Sequence, residues 1–321
     1  MKRRLTAFMC AWIGLVLCAI GPVAAQAVDV ADGSASNALT IDVHTAGDPV
    51  LTLSLGRLDT ALRRTNEVEA EQTAVGLLDL TTGRVAMLRA DTQYYAASVP
   101  KIAILLAYFQ THPHAADSLD DDTARELGLM IKRSDNKLAA KYSKLIGLQA
   151  IADVLTYPAY KLYDPLRGGG LWVGKHYGKS DERLRDPLAG ESHAATVRQL
   201  LRYYQMLEQG RLVSPEASKT MRDIFQSPEL EHLQSKFVLG LADRDVQVIR
   251  KSGTWSEWHA DTAVVTGEGR HYILVALTHH EKGAEYLTEL VRHIDDWAIA
   301  GFQGEAPLVP ASEAMTQPET D

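Results

Sequence analysis

Three short stretches of this 321-residue sequence carry side chains able to do chemistry on one another. The first is Ser98-Val99-Pro100-Lys101. A serine hydroxyl is a weak nucleophile until a neighbouring base takes its proton, and a lysine three residues on lies on the same helical face. That lysine acts as a base only if burial favours its neutral form. Residues 102–109, Ile-Ala-Ile-Leu-Leu-Ala-Tyr-Phe, are apolar all round, the pattern of a helix enclosed by protein, and Pro100 suits a first helical turn. An ammonium at the head of such a helix is costly unless something uses it. The second stretch is Ser134-Asp135-Asn136, at a break between two helical patterns; the third is Lys251-Ser252-Gly253-Thr254, in a β-rich region. Each alone is ordinary: a core helix, a turn or cap, a strand end. Their order and the element types that carry them make a constellation.

The elements around them alternate in period. A helix is expected from Leu55, with Leu55, Leu58 and Leu62 on one face, then a strand over 73–80, a turn at Thr81-Thr82-Gly83, and its hairpin partner over 84–89. Helical patterns cover 123–132, 136–145, 148–155, 193–209 (with Ser192 as cap) and 214–225. Between them, 158–178 is a long loop rich in glycine, proline and aromatics, of the kind that has a job. Short strands follow at 246–250, 262–266 and 272–278, and a last helix covers 284–300. The expected fold is therefore α+β. Strands from both ends of the chain join one antiparallel sheet, flanked by the N- and C-terminal helices, and a mostly helical lobe (96–222) is inserted between 51–95 and 223–303. The cleft between lobes is the natural site.

Composition bounds the rest. Lys2, Arg3 and Arg4 precede an apolar run to Ile20 and the small residues of Pro22–Ala27, which reads as an export signal over 1–25, followed by a flexible leader over 26–50. Residues 304–321, rich in Pro and Glu, read as a disordered tail. Both cysteines, Cys10 and Cys18, fall inside the signal, so a cysteine nucleophile and Cys-ligated zinc are excluded from the mature chain. The formal charge is −8, and more negative once the basic signal leaves, which argues against nucleic acid and anionic membranes as partners. The expected location is periplasmic or secreted, with no stable membrane insertion after signal cleavage. His279-His280-Glu281 falls on a strand whose successive side chains point to opposite faces, so no metal and no cofactor is expected.

Taken together, the three motifs resemble those of the serine β-lactamase and penicillin-binding protein superfamily: Ser-x-x-Lys, Ser-Asp-Asn and Lys-Thr-Gly. The similarity extends to 133–140 with Ile146-Gly147, to Asp186-Pro187, to 195–201 and to 259–265, and it looks most like class A β-lactamases over about residues 50–303. It implies a β-lactamase-like fold and an acyl-enzyme on Ser98 with Lys101 as base. Ser134 would relay a proton to the leaving nitrogen, Asn136 would hold the substrate amide, and Lys251 would supply positive potential. Ser252, Gly253 and Thr254 would bind substrate, the amides of Ser98 and Thr254 forming an oxyanion hole. The substrate so implied is a β-lactam or a peptidoglycan stem peptide.

The departures are as informative. Ser252 replaces the usual threonine, and Ser98 and Ser134 are only 36 residues apart. Class A enzymes carry a loop glutamate that activates the deacylating water. At the comparable spacing this chain has Leu166-Arg167-Gly168-Gly169-Gly170, and Glu191 reads instead as a first-turn residue of the 193–209 helix. Acylation is better supported than fast hydrolysis. A D-alanyl-D-alanine carboxypeptidase or peptidoglycan amidase, and a non-turnover penicillin-binding sensor, stand as alternatives. His176 and Tyr177 read first as structural loop residues, with facing the cleft as the alternative, while Trp255, Trp258 and His259 are candidates to line a groove.

Overall fold

The computed structural model describes residues 41–42 and 44–307. The expected export signal, most of the expected leader and most of the expected tail lie outside the described residues. The described end of the leader is tied down. Ile41 is fully buried; its N–H donates to Gln205 Oε1 (2.6 Å) and its carbonyl accepts from Arg202. Asp48 Oδ1 accepts from Leu51 N (2.8 Å), and Pro49 occupies the first helical position. This pairing of cap and proline starts helix α1 at Pro49–Asn66, earlier than the apolar periodicity alone indicates.

Strands β1 (Thr73–Asp79) and β2 (Val85–Leu88) form the expected hairpin, with Gly83 at φ +75° in its turn. The short β3 (Tyr94–Tyr95) leads to helix α2 (Lys101–Thr111). Helices α3 (Ala115–Ser118), α4 (Asp121–Lys132), α5 (Asn136–Ile146) and α6 (Leu148–Thr156) follow. The glycine-rich loop carries β4 (Tyr163–Asp164), β5 (Gly169–Gly170) and β6 (Trp172–Val173). One expectation fails after it. Residues 193–195 are a strand, β7 (His193–Ala195), paired to β3 on one side and β6 on the other, and helix α7 begins only at Val197 (Val197–Glu208). Thr196, not Ser192, caps it by accepting from Gln199 N (3.4 Å). Pairing on both edges outweighs the helical preference of two alanines, and it leaves Glu191 away from any helix start.

Helices α8 (Pro215–Gln226) and α9 (Phe237–Gly240) precede strands β8 (Gln247–Trp255), β9 (Trp258–Gly267) and β10 (Arg270–His279) and the last helix, α10 (Gly283–Ile299). The main sheet is antiparallel throughout, in the order β2-β1-β10-β9-β8, so strands from both ends of the chain do share it. Side chains alternate between its faces. Val75, Leu77, Leu274 and Ala276 pack under α1 and α10 with Leu55, Leu58 and Leu290. Ala74, Leu78, Ile273 and Val275 pack against α7 and the inserted helices on the other face. Both faces being buried is why these strands read as continuous apolar runs. Gly76 lets α7 come close: a Cβ there would stand 2.4 Å from Val197 Cγ1. At the far end, β8 is left as an edge strand beside the inserted helices.

Candidate active site

Ser98 sits on a tight turn before α2. Val99 N donates to Ala96 O (3.0 Å) and Lys101 N to Ser98 O (3.3 Å), and Ala97 takes a left-handed φ of +49°. That conformation is strained for a residue with a Cβ and persists because its surroundings enforce it. Ala96 N is held by His193 O (2.9 Å) on β7, and Ala97 O by the Tyr177 hydroxyl (3.0 Å). The turn is thus tied on both sides, with Ser98 half-exposed at its tip. Helix α2 then runs into the core, with Ile102 to Ala107 fully buried.

Lys101 is fully buried, and its Nζ lies 3.0 Å from Ser98 Oγ. It also donates to Ser134 O (2.7 Å) and Asn136 Oδ1 (2.7 Å), and it lies 3.1 Å from Ser134 Oγ. Burial lowers its pKa to about 7, with Asp135 pulling the other way. The second motif divides its labour between neighbours. Ser134 adopts φ +59°, which turns its carbonyl and hydroxyl toward Lys101; Asp135 Oδ1 caps α5 by accepting from Lys137 N (2.7 Å) and Leu138 N (2.9 Å); Asn136 is the helix's first residue. The third motif lies on β8. Lys251, also buried, donates to Ser134 Oγ (2.9 Å) and to Ser252 O (2.7 Å). Burial pushes its pKa well down, helped by the proximity of Lys101.

Gly253 explains how β8 approaches the turn. A Cβ there would stand 2.3 Å from Ala96 O and 2.9 Å from Ser98 N, so only glycine lets the strand edge lie against the backbone of the Ser98 turn. Ser252 is buried behind it, while Thr254 is exposed and lines the cavity. All eight residues expected at the site are therefore gathered along one junction between β8, the Ser98 turn and the α4–α5 connection.

A cavity of about 340 Å³ opens on Ser98, lined also by Asn136, Tyr177, His193, Thr254 and Trp255. Of these, Tyr177 takes the cleft-facing alternative, and His193 is not anticipated in the sequence. The Tyr177 ring stands 4.6 Å from Lys101 Nζ, so this loop residue belongs to the site. His193 Nε2 is buried without a partner in the structure, and burial lowers the imidazole pKa to about 3, so the ring is neutral. Periodicity had assigned it to a helix, which hid it. His176 does hold the loop: its ring nitrogens meet Ser143 Oγ (2.9 Å) and Glu182 Oε2 (2.9 Å), and Ser143 is too deeply buried to meet a substrate. No aspartate or glutamate is among the described residues lining the cavity around Ser98. Glu191 lines an adjoining hollow with Tyr95, Trp255 and Trp258, its pKa raised by burial first and Asp186 second. Among the described residues no helix is long and apolar enough to cross a membrane.

Comparison with known proteins agrees with this geometry. No curated protein sequence matches the chain. Among solved structures, a β-lactamase from Sphaerobacter thermophilus DSM 20745 superposes with a TM-score of 0.60 at 15% identity, covering 77% of this chain and 97% of that one. A β-lactamase from Chitinophaga pinensis DSM 2588 gives 0.60 at 14% identity, with 78% and 99% covered. PBP-A gives 0.57 at 16% identity, with 77% and 96% covered. Likeness at such low identity speaks for the fold, which is β-lactamase-like. The sequence itself matches the β-lactamase enzyme family over residues 122–298, more than half its length, a span that holds Ser134 to Asn136 and Lys251 to Thr254 and stops short of Ser98. Ser98 and Lys101 are attached to those motifs by the hydrogen bonds above. The chain belongs to the β-lactamase enzyme family, within the serine β-lactamase and penicillin-binding protein superfamily.

Proposed function

We propose that the protein is a serine hydrolase that opens β-lactam or related amide substrates through an acyl-enzyme on Ser98. The observation that carries this reading is the buried Lys101, whose Nζ lies 3.0 Å from Ser98 Oγ with its pKa lowered to about 7. Near neutral pH a large share of Lys101 is free base, able to take the serine proton as Oγ bonds to the acyl carbon. The amides of Ser98 and Thr254 would receive the charge on the acyl oxygen, a contribution of about 3–4 kcal/mol per donor. Ser134, touched by both Lys101 and Lys251, would return a proton to the nitrogen as the C–N bond breaks. Water then releases the acyl group and regenerates Ser98. The signal at residues 1–25 supports action in the periplasm or outside the cell.

The cavity's lack of a carboxylate favours a second reading of the last step. With no such base beside the ester, the acyl-enzyme is long-lived, as suits a slow D-alanyl-D-alanine carboxypeptidase or a penicillin-binding sensor. PBP-A, similar in fold, has a point mutant captured as an acyl-enzyme complex with penicillin G. Incubating the protein with a chromogenic cephalosporin, while following both colour and intact mass, tests both readings. Sustained turnover supports the lactamase; a stable adduct without turnover supports the slow peptidase or sensor. No adduct and no turnover removes β-lactams from the account. Ser98→Ala is expected to abolish any adduct, and an adduct that survives it would falsify the nucleophile assignment.

A further inference from the structure

Lys236 is a buried cation that the chemistry above does not use. It precedes the short α9, takes a left-handed φ of +47°, and is 3% exposed. Its Nζ donates to Gly253 O (2.6 Å) and Ala260 O (3.0 Å). Gly253 and Ala260 are opposite one another in the β8–β9 register. One ammonium reaches both carbonyls only if both point into the seam between the strands. The chain has no cis peptide among its described residues, so in the planar unit that joins Gly253 to Thr254 the N–H points opposite to the C=O. The Thr254 N–H therefore faces the free edge of β8. That edge lies against the Ser98 turn, as the 2.9 Å between a Gly253 Cβ and Ser98 N would show.

We propose that Lys236 is a positioning residue for acylation: by gripping the carbonyl of the Gly253–Thr254 peptide, it fixes and polarises the Thr254 N–H as a donor to the acyl oxygen. The proposal rests on Ser98 being the nucleophile. A charge bonded to a peptide oxygen draws electron density from the attached nitrogen and strengthens its N–H as a donor. A purely structural ammonium would be expected to seek a carboxylate, and Asp261 is close by. Yet the Asp261 oxygens are taken by Arg250 (2.6 and 2.8 Å) and by the amides of Phe237 (3.1 Å) and Thr262 (3.0 Å). Lys236 spends its hydrogen bonds on the active-site strand pair instead. Burial lowers its pKa to about 8, Asp261 opposing and Arg250 assisting. The charged and titratable groups facing it are Arg250 and Lys251 on β8 and His259 and Asp261 on β9, with Glu285 of α10 behind His259.

The test pairs kinetics with a readout of the peptide itself. Lys236→Met is expected to slow Ser98 acylation by a cephalosporin 10- to 100-fold, mainly in the rate at saturation and not in half-saturating concentration. Lys236→Arg, which keeps the charge, should restore most of that rate and move its alkaline decline from near pH 8 to above 9. In the unmodified protein the Thr254 amide resonance, followed by NMR, should show an inflection near pH 8 that Lys236→Arg removes. Should Lys236→Met fail to fold, the arginine variant and this titration decide. Acylation at the original rate in a folded Lys236→Met protein, or a Thr254 amide indifferent to pH and to both substitutions, overturns the proposal. An unmodified protein that forms no adduct sinks the acyl-enzyme reading alone, since the amide titration still reports whether Lys236 polarises that peptide.

Discussion

Two lysine side chains converge on one hydroxyl: Ser134 Oγ lies 3.1 Å from Lys101 Nζ and 2.9 Å from Lys251 Nζ. Two ammonium groups so close repel, and burial adds to the cost of both charges. Both pKa values are lowered, and Lys101 is the partner that touches Ser98. The sign of the pH dependence follows. In the proposed mechanism the active form has Lys101 neutral, so acylation should rise with pH up to about 7, ahead of the decline near pH 8 expected as Lys236 loses its proton. Pre-steady-state acylation rates across pH 5.5–7 measure this, and a rate that falls over that interval contradicts Lys101 as base. Lys101→Met should lower the rate by ~10²–10⁴-fold, the usual worth of a placed general base. A loss under tenfold would point to another base.

At the scale of elements, the site depends on how close β8 can come to the Ser98 turn. Gly253 is the point of contact, and its clash partners on replacement are backbone atoms, which cannot swing aside. Gly253→Ala should destabilise the protein by about 1–3 kcal/mol as strand and turn are forced apart. It should also cost acylation at least tenfold while leaving the Ser98–Lys101 pair intact. Urea unfolding and adduct formation by mass report the two effects, and a variant that matches the parent in both removes Gly253 from the design. One residue before the motif, Arg250 ties β8 to Asp261 on β9 and to Leu233 O and Ser235 O (2.8 Å each) in the preceding loop. Both partners of the pair are at most 1% exposed. Asp261→Asn leaves a buried guanidinium poorly matched and should cost about 3–5 kcal/mol, read as a shift in urea midpoint. A cost below 1 kcal/mol would mean that the loop carbonyls alone hold Arg250.

Over the whole molecule, three of the buried lysines, Lys101, Lys236 and Lys251, give stability an uncommon pH profile. The pKa values of Lys101 and Lys236 are lowered to about 7 and about 8, and that of Lys251 well below its ordinary value. Between pH 7 and 10 the unfolded chain therefore binds more protons than the folded one, and stability rises with pH. The slope reaches about 1.4 kcal/mol per pH unit for each lysine within its window. Above pH 10 the sign reverses, because buried Tyr177, Tyr203, Tyr272 and Tyr286 hold their protons while the unfolded tyrosines lose theirs. The optimum should fall near pH 9–10, above the usual range of about pH 5–8. A urea midpoint that is flat or falls from pH 7 to 9 would refute this.

By itself the sequence determined the motifs, their order and the kind of element carrying each. Those are local matters: proline at a first turn, an aspartate ahead of a helix, a hairpin punctuated at Thr81-Thr82-Gly83, an apolar run too complete for a surface helix. The same local signals led astray where partners lie far along the chain. Residues 193–195 form a strand because β3 and β6 flank them, and periodicity contains no trace of either. Only the tertiary structure decided that Lys101 meets Ser134 across 33 positions and Lys251 meets it across 117, that Tyr177 and His193 complete the cavity, and that no carboxylate lines it among the described residues. The physical reason is that nucleophile activation needs desolvation and distances of about 3 Å. Those are properties of packing between lobes, which residue spacing can suggest and cannot supply.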